Sequence, residues 1–181
     1  MDGSLIWLDM EMTGLNVDIE RPIEVACIVT DFEFKELATY ESVIKQPQEF
    51  LDRMDDWNKT HHGASGLLAK VPKGKDMAVV EKDLIDMIQW YFPNGRENAV
   101  LAGNSIMQDR LFIEKYFKNL APLLHYRMLD VTAWKIIFKD KLKTEYKKKN
   151  QHRALDDIRE SIAELKYYLS YVKTDSLENK I

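Results

Sequence analysis

One cysteine, Cys27, stands in 181 residues. A lone thiol excludes a disulfide framework and a cysteine-rich zinc site, and it suits a reducing compartment. Its place in the apolar run 23–29 reads as a small core residue. An excess of basic charge is also missing. Lys plus Arg total 26 against 30 Asp plus Glu, for a formal net charge of -4. That argues against a large basic face for gripping long nucleic acid, yet leaves room for a short oligomer held through a metal. No run is long enough to span a bilayer, and no basic segment precedes an apolar core as in a signal peptide. The expectation is an intracellular protein, cytoplasmic or mitochondrial, with no membrane partner. There is no internal repeat, linker or break in composition. The chain therefore reads as one domain, 1–174, followed by a C-terminal tail, 175–181.

What is present is an apolar stretch with two acids set into it: Leu5-Ile6-Trp7-Leu8-Asp9-Met10-Glu11-Met12-Thr13-Gly14-Leu15. Ionised carboxylates are almost never buried unless paired or bound to a metal. Asp9 and Glu11 are two apart, so on a strand they share a face. Two such groups side by side repel, and a divalent cation relieves the repulsion. The Asp-x-Glu spacing itself is weak, because Asp18/Glu20 and Asp31/Glu33 repeat it in polar contexts. The apolar surroundings of Asp9 and Glu11 carry the argument.

Strands are expected at 5–12, 23–30 and 37–45, the first three forming an antiparallel start to a sheet. A short helix follows at 50–59, then a loop over His61-His62-Gly63-Ala64-Ser65-Gly66. A helix at 77–92 has apolar residues three and four apart. A buried strand at 99–103 and a turn at Asn104-Ser105 lead into a helix at 107–117. A last strand at 126–131 leads into a helix from Thr132, and 139–150 reads as a loop or frayed helix end. The final helix starts near Arg153, with Leu155, Ile158, Ile162, Leu165, Leu169 and Val172 as its stripe. This order gives an α/β fold: a mixed five-stranded sheet, three antiparallel strands first and strand–helix units after, flanked by helices.

Two further acids lie where α/β sheets gather ligands, at helix starts beyond strand ends. Asp109 alone reads as an acid complementing a helix dipole. Asp157 has the same plain explanation, and Asp156 is an equal candidate. His152 alone would be a surface or capping histidine. Together, four carboxylates and a histidine suit Mg²⁺ or Mn²⁺ more than zinc, with His152 able to take a proton from an attacking water.

These residues resemble the DEDDh group of 3′→5′ exonucleases, whose fold is ribonuclease H-like. Asp9-Met10-Glu11 matches the group's first motif, Asn104 through Asp109 the second and His152-x-Ala154-x-x-Asp157 the third. The third spacing selects Asp157 over Asp156. Within the group the chain is most similar to the oligoribonuclease family, over roughly residues 4 to 171. Leu8 through Leu15, Met54-Asp55-Asp56-Trp57-Asn58, Ser65-Gly66-Leu67, Gly103-Asn104-Ser105, His125-Tyr126-Arg127, Leu129-Asp130-Val131 and the segment 154–161 carry that likeness.

The resemblance implies a homodimer that degrades very short RNA, down to 5′-phosphorylated dinucleotides, to 5′-mononucleotides with two divalent ions, Mg²⁺ or Mn²⁺. It makes Asp9, Glu11, Asp109 and Asp157 the metal ligands and His152 the general base. Leu15 and Trp57 would sandwich a base, although Trp57 read alone is a core aromatic. His62, Ser105 and Thr132 would hold the 5′ phosphate, with Tyr126 and Arg127 reaching in from the partner subunit. Thr132 stands where family members often have serine, and 134–150 diverges most. The competing expectations are a DEDDh nuclease for longer RNA or single-stranded DNA, and a protein that binds short RNA without cutting it.

Overall fold

The structure is a computed structural model that describes residues 4–95, 99–147 and 153–172. Its centre is β1 (Ser4–Met12), the apolar stretch with the two acids. β1 pairs antiparallel with β2 (Pro22–Asp31), which pairs antiparallel with β3 (Glu36–Val43). On its other side β1 runs parallel to β4 (Val100–Gly103), and β4 runs parallel to β5 (Met128–Asp130). The sheet order is β3-β2-β1-β4-β5, the mixed five-stranded arrangement expected.

Because β1 is central, both of its faces are covered, and its period of two sorts its side chains between two cores. Ile6, Leu8 and Met10 face one layer, with Val80, Leu84 and Ile88 of α3 (Met77–Tyr91) and Phe112 and Ile113 of α4 (Met107–Tyr116). Leu5 and Trp7 face the other. There they meet Phe138 of α5 (Val131–Leu142) and Ile158, Ile162, Leu165 and Tyr168 of α6 (Ala154–Leu169). The same alternation carries Asp9 and Glu11 to the α6 face.

The region after β3 departs from the expected single helix and loop. It holds two helices, α1 (Gln48–Asp52) and α2 (Asp56–Ala64). The break falls at Asp55, whose carboxylate caps α2 by accepting the Asn58 N–H at 2.7 Å and the Asn58 side-chain amide at 3.0 Å. His61 and His62 are consequently helical, not in a loop. The described part of the lysine-rich stretch is the end of a helix followed by irregular chain, within the expected loop or frayed helix end. α5 continues to Leu142 because Phe138 is buried against Tyr168, with ring centroids 4.7 Å apart, and it ends where Lys143 turns left-handed at φ +55°. The rest of that stretch beyond 147, the general-base candidate His152 and the tail 175–181 lie outside the described residues. Among the described residues no helix is long and apolar enough to cross a membrane.

Candidate active site

Asp9 and Glu11 emerge from β1 toward the first turn of α6, and Asp157 meets them there. One carboxylate oxygen from each of the three lies within 4.8 Å of the others. The neighbouring acid Asp156 takes a different direction and pairs with Arg159 at 3.9 Å. Asp157 is thus the residue of that pair that joins the site.

Burial pushes the Glu11 carboxyl up to about 8, and the charges of Asp157, Glu24 and Asp109 push the same way, with Arg153 opposing them. Three oxygen donors this close, with Glu11 held back from ionising, fit a divalent cation, whose charge would relieve the repulsion.

Asp109 reaches this place from the opposite face of the sheet, because α4 packs in the other layer. It is buried, and its Oδ1 accepts the Met10 N–H at 2.9 Å, between the two acids of β1. Burial raises its pKa to about 7 even though the Met10 amide favours the charged form. It lies near the trio without belonging to it. Sequence spacing could not show this, since it does not say which face each helix covers.

His62 is buried in α2. Its Nε2 lies 3.0 Å from the Met12 carbonyl, where an Nε2–H would donate, and its Nδ1 lies 3.8 Å from Glu11 Oε2. Burial lowers its pKa, which favours the neutral imidazole. These contacts pin α2 to the end of β1 and so bring Trp57 to the same end of the sheet. Trp57 is 64% exposed and stacks on His61 with centroids 4.1 Å apart and 18° between planes. It is not a core aromatic. Leu15, 73% exposed, sits on the turn leaving β1. Its carbonyl accepts Gln108 Nε2 at 2.7 Å. The turn is tied by Thr13 N–H to the Arg21 carbonyl at 2.9 Å, and a Cβ on Gly14 would come within 2.9 Å of the Glu20 side chain.

Ser105 and Thr132 form a second group. The Ser105 N–H donates to Asp130 Oδ1 at 3.0 Å and Thr132 Oγ1 at 2.9 Å, and the two hydroxyls are 3.2 Å apart. Ser105 holds a left-handed φ of +50°, a local cost that ordinary turns avoid. Thr132 Oγ1 also donates to Asn104 Oδ1 at 3.3 Å, and Asn104 Nδ2 donates to Ser161 Oγ and Glu164 Oε2 of α6. Ser161 in turn donates to the Asp157 carbonyl at 2.9 Å. A polar network therefore links the Ser105–Thr132 pair to the backbone of an acid in the trio, whereas the contacts of His62 run to β1. Tyr126 is exposed and stacks on His125, and the Arg127 guanidinium lies 5.3 Å from the Tyr126 ring centre.

Sequence reasoning gives no individual role in the site to Glu24, Arg153, Asn104 or Glu164. For Glu24 a signal existed: an acid inside the apolar run of β2 is as anomalous as Asp9 in β1. Glu164 lies among the apolar positions of the α6 stripe, and only the fold shows that Asn104 and Tyr168 satisfy it.

Residues 6–165 match the family model described as an exonuclease. An oligoribonuclease from Shewanella is 44% identical over 94% of this chain and 96% of its own length. One from Pseudomonas putida is 45% identical over 91% and 93%, and one from Arabidopsis thaliana is 43% identical over 91% and 76%. The fold resembles exonuclease I from E. coli, solved with a dA16 oligonucleotide, with a TM-score of 0.72 at 12% identity over 98% of this chain. It also resembles exonuclease I from Methylocaldum szegediense, with a TM-score of 0.71 at 14% identity. The chain spans 42% and 41% of those two chains, and at such identities the likeness speaks for the ribonuclease H-like fold alone.

Proposed function

The chain belongs to the oligoribonuclease family of 3′→5′ exoribonucleases, and from that premise we propose that it hydrolyses very short oligoribonucleotides, above all 5′-phosphorylated dinucleotides, to 5′-mononucleotides. The observation that carries the reading is the convergence of Asp9, Glu11 and Asp157 at the end of β1, with exposed Leu15 on the turn leaving that strand and exposed Trp57 on α2, which His62 ties to the strand's end. In this reading Asp9, Glu11, Asp109 and Asp157 hold two divalent ions, Mg²⁺ or Mn²⁺. Bound there, such ions supply a water nucleophile and charge neutralisation at the scissile phosphate.

The chain's own residues do the rest. Trp57 and Leu15 hold a base between them. The Ser105 and Thr132 hydroxyls, with His62, bind the 5′ phosphate, and Tyr126 and Arg127 of the partner subunit close over it. His152 takes the proton from water as its oxygen bonds to phosphorus. The bond from phosphorus to the 3′ oxygen breaks, and that oxygen collects a proton from solvent. A pocket closed over the 5′ phosphate would favour dinucleotides and would need no basic groove, in keeping with the acidic net charge. An intracellular setting, cytoplasm or mitochondrion, suits a chain whose one cysteine is a free, buried thiol.

A length series of 5′-phosphorylated RNAs with Mg²⁺ tests the proposal. Turnover is expected to be highest for the dinucleotide. Equal or faster turnover of a long strand would replace the reading with a general DEDDh nuclease, and absence of any mononucleotide would replace it with a binding protein.

Base–aromatic stacking is worth about 1–3 kcal/mol, so Trp57→Ala is expected to raise KM for the dinucleotide roughly 5- to 150-fold, with Trp57→Phe recovering much of it. Steady-state kinetics of both variants checks this.

The homodimer has a candidate face on α5. Ile136 and Ile137 are 54% and 55% exposed, and a shallow depression of about 300 Å³ is lined by Ala133, Trp134, Ile137 and Phe138. Apolar side chains of this kind need a partner surface to leave water. Ile137→Asp is expected to give monomers by light scattering and to lower kcat/KM roughly tenfold or more, because the partner's Tyr126 is lost. A fully active monomer would refute the trans arrangement.

A further inference from the structure

Glu24 is fully buried on β2, directly opposite Glu11 in the β1/β2 register. Cross-strand partners share a face, so Glu24 lies behind the acid trio. A buried carboxylate needs a partner. Its Oε1 accepts Arg153 Nη2 at 3.0 Å, and the same nitrogen lies 2.9 Å from Glu41 Oε1 on β3. The Ala154 N–H, the first amide of α6, also favours the ionised carboxylate. Glu24 Oε2 and Arg153 Nε are buried with no hydrogen-bond partner among the described residues. The clamp thus rests on the one bridging nitrogen.

Arg153 is the N-cap of α6, yet its side chain caps nothing in its own helix. It leaves the helix for the two strands. Its carbonyl accepts the Asp157 N–H at 2.9 Å. It follows His152 directly in the chain. One residue therefore joins strands β2 and β3 to the helical turn that carries Asp157. That turn needs holding, because Asp157 is brought up against Asp9 and Glu11, and carboxylates without an intervening cation push it away.

We propose that Glu24 and Glu41, acting through Arg153, are positioning residues that fix where α6 begins and so hold Asp157 against the acids of β1. This rests on the catalytic reading of Asp157 given above.

The test measures kcat and KM on a 5′-phosphorylated diribonucleotide with saturating Mg²⁺, beside thermal melting, for Glu24→Gln, Glu24→Ala, Glu24→Asp and Glu41→Gln. Loss of a group that orients a metal-ligating residue typically costs about 10–100-fold, and a drop in kcat of that size is expected for Glu24→Gln with KM within about twofold. Glu41 is 34% exposed, so Glu41→Gln folds readily. It is expected to shift kcat in the same direction by a smaller factor. Glu24→Asp, which keeps the charge, is expected to recover part of what Glu24→Ala loses.

Unchanged kcat in both Gln variants overturns the proposal. So does a loss of activity that only tracks the unfolded fraction, with Glu24→Asp no better than Glu24→Ala. Asp157→Asn is the reference arm. If it is inactive while the Glu24 and Glu41 variants are normal, this inference alone fails. If it is active, the catalytic reading beneath it fails as well.

Discussion

Asp9→Ala is expected to abolish cleavage while leaving the fold intact. Asp9 stands at the meeting point of the trio, on the α6 face of β1, and shares its place with Glu11 and Asp157. Removing one oxygen donor from a shared site lowers metal occupancy and loses charge stabilisation of the transition state together. A fall in kcat of at least about 10³, roughly 4 kcal/mol of barrier, is expected at saturating Mg²⁺. The fold should persist, since β1 is held by Leu5, Ile6, Trp7 and Leu8 in the two cores.

Asp109 behaves differently in the same experiment. Its carboxylate accepts the buried Met10 amide, so Asp109→Ala leaves that donor unsatisfied, at about 1–3 kcal/mol. It should therefore melt lower than the unsubstituted protein while being as inactive as Asp9→Ala. Near-normal turnover of Asp9→Ala would remove it from the site. An unchanged melting temperature of Asp109→Ala would contradict the structural part played by Asp109.

The parts of the fold that were legible in the sequence share a property: their burial pattern is local. β1 shows as an apolar run, and its two acids stand out because water-loving groups in such a run require an explanation. α3 and α6 show as stripes at helical spacing. What stayed hidden depends on partners distant in the chain. His62 is helical because Asp55 caps α2, and a carboxylate three residues before Asn58 is a signal that can be read, whereas two adjacent histidines and Gly63 point toward a loop.

The length of α5 depends on Tyr168 waiting beneath Phe138, some thirty positions away. The choice between Asp156 and Asp157 is a rotation of α6 by one residue; composition and periodicity leave it open, the family's motif spacing selects Asp157, and the packing of Ile158 and Ile162 beside Trp7 brings that residue to the acids. Asp109 illustrates the same limit from the other side. The sequence places it at a helix start, but whether that helix covers the face with the acids or the opposite one is decided by the crossover connections.

Removing divalent metal should make stability fall as pH rises across the neutral range. Most carboxylates act in the opposite sense. A carboxylate stabilised in the fold has a lowered pKa and contributes above its unfolded pKa. Glu11 has an ordinary pKa of 4.5 raised to about 8, so between those values the folded, metal-free chain holds more protons than the unfolded chain. Stability then declines with rising pH through that window. Below 4.5 both states are protonated and nothing is lost. Above about 8 both are ionised and the full cost is present.

At about 1.4 kcal/mol per pKa unit the upper bound is on the order of 5 kcal/mol. Water reaching a side chain that is 23% exposed reduces it. Asp109, raised to about 7, acts with the same sign. For a chain of this length a cost of about 2–3 kcal/mol corresponds to a Tm lower by roughly 5–10 °C at pH 8.5 than at pH 6 after chelation.

Mg²⁺ should restore the loss most at high pH, where its ligands are already ionised and no proton has to leave. Glu11→Gln separates this effect from general charge repulsion. The metal-free variant should show a shallower pH slope and, at pH 8.5, a higher Tm than the unsubstituted protein, while cleaving no RNA. A metal-free Tm that stays flat or climbs from pH 6 to 8.5 would show that Glu11 ionises without cost, and the crowding of carboxylates at the end of β1 would then have no bearing on metal binding.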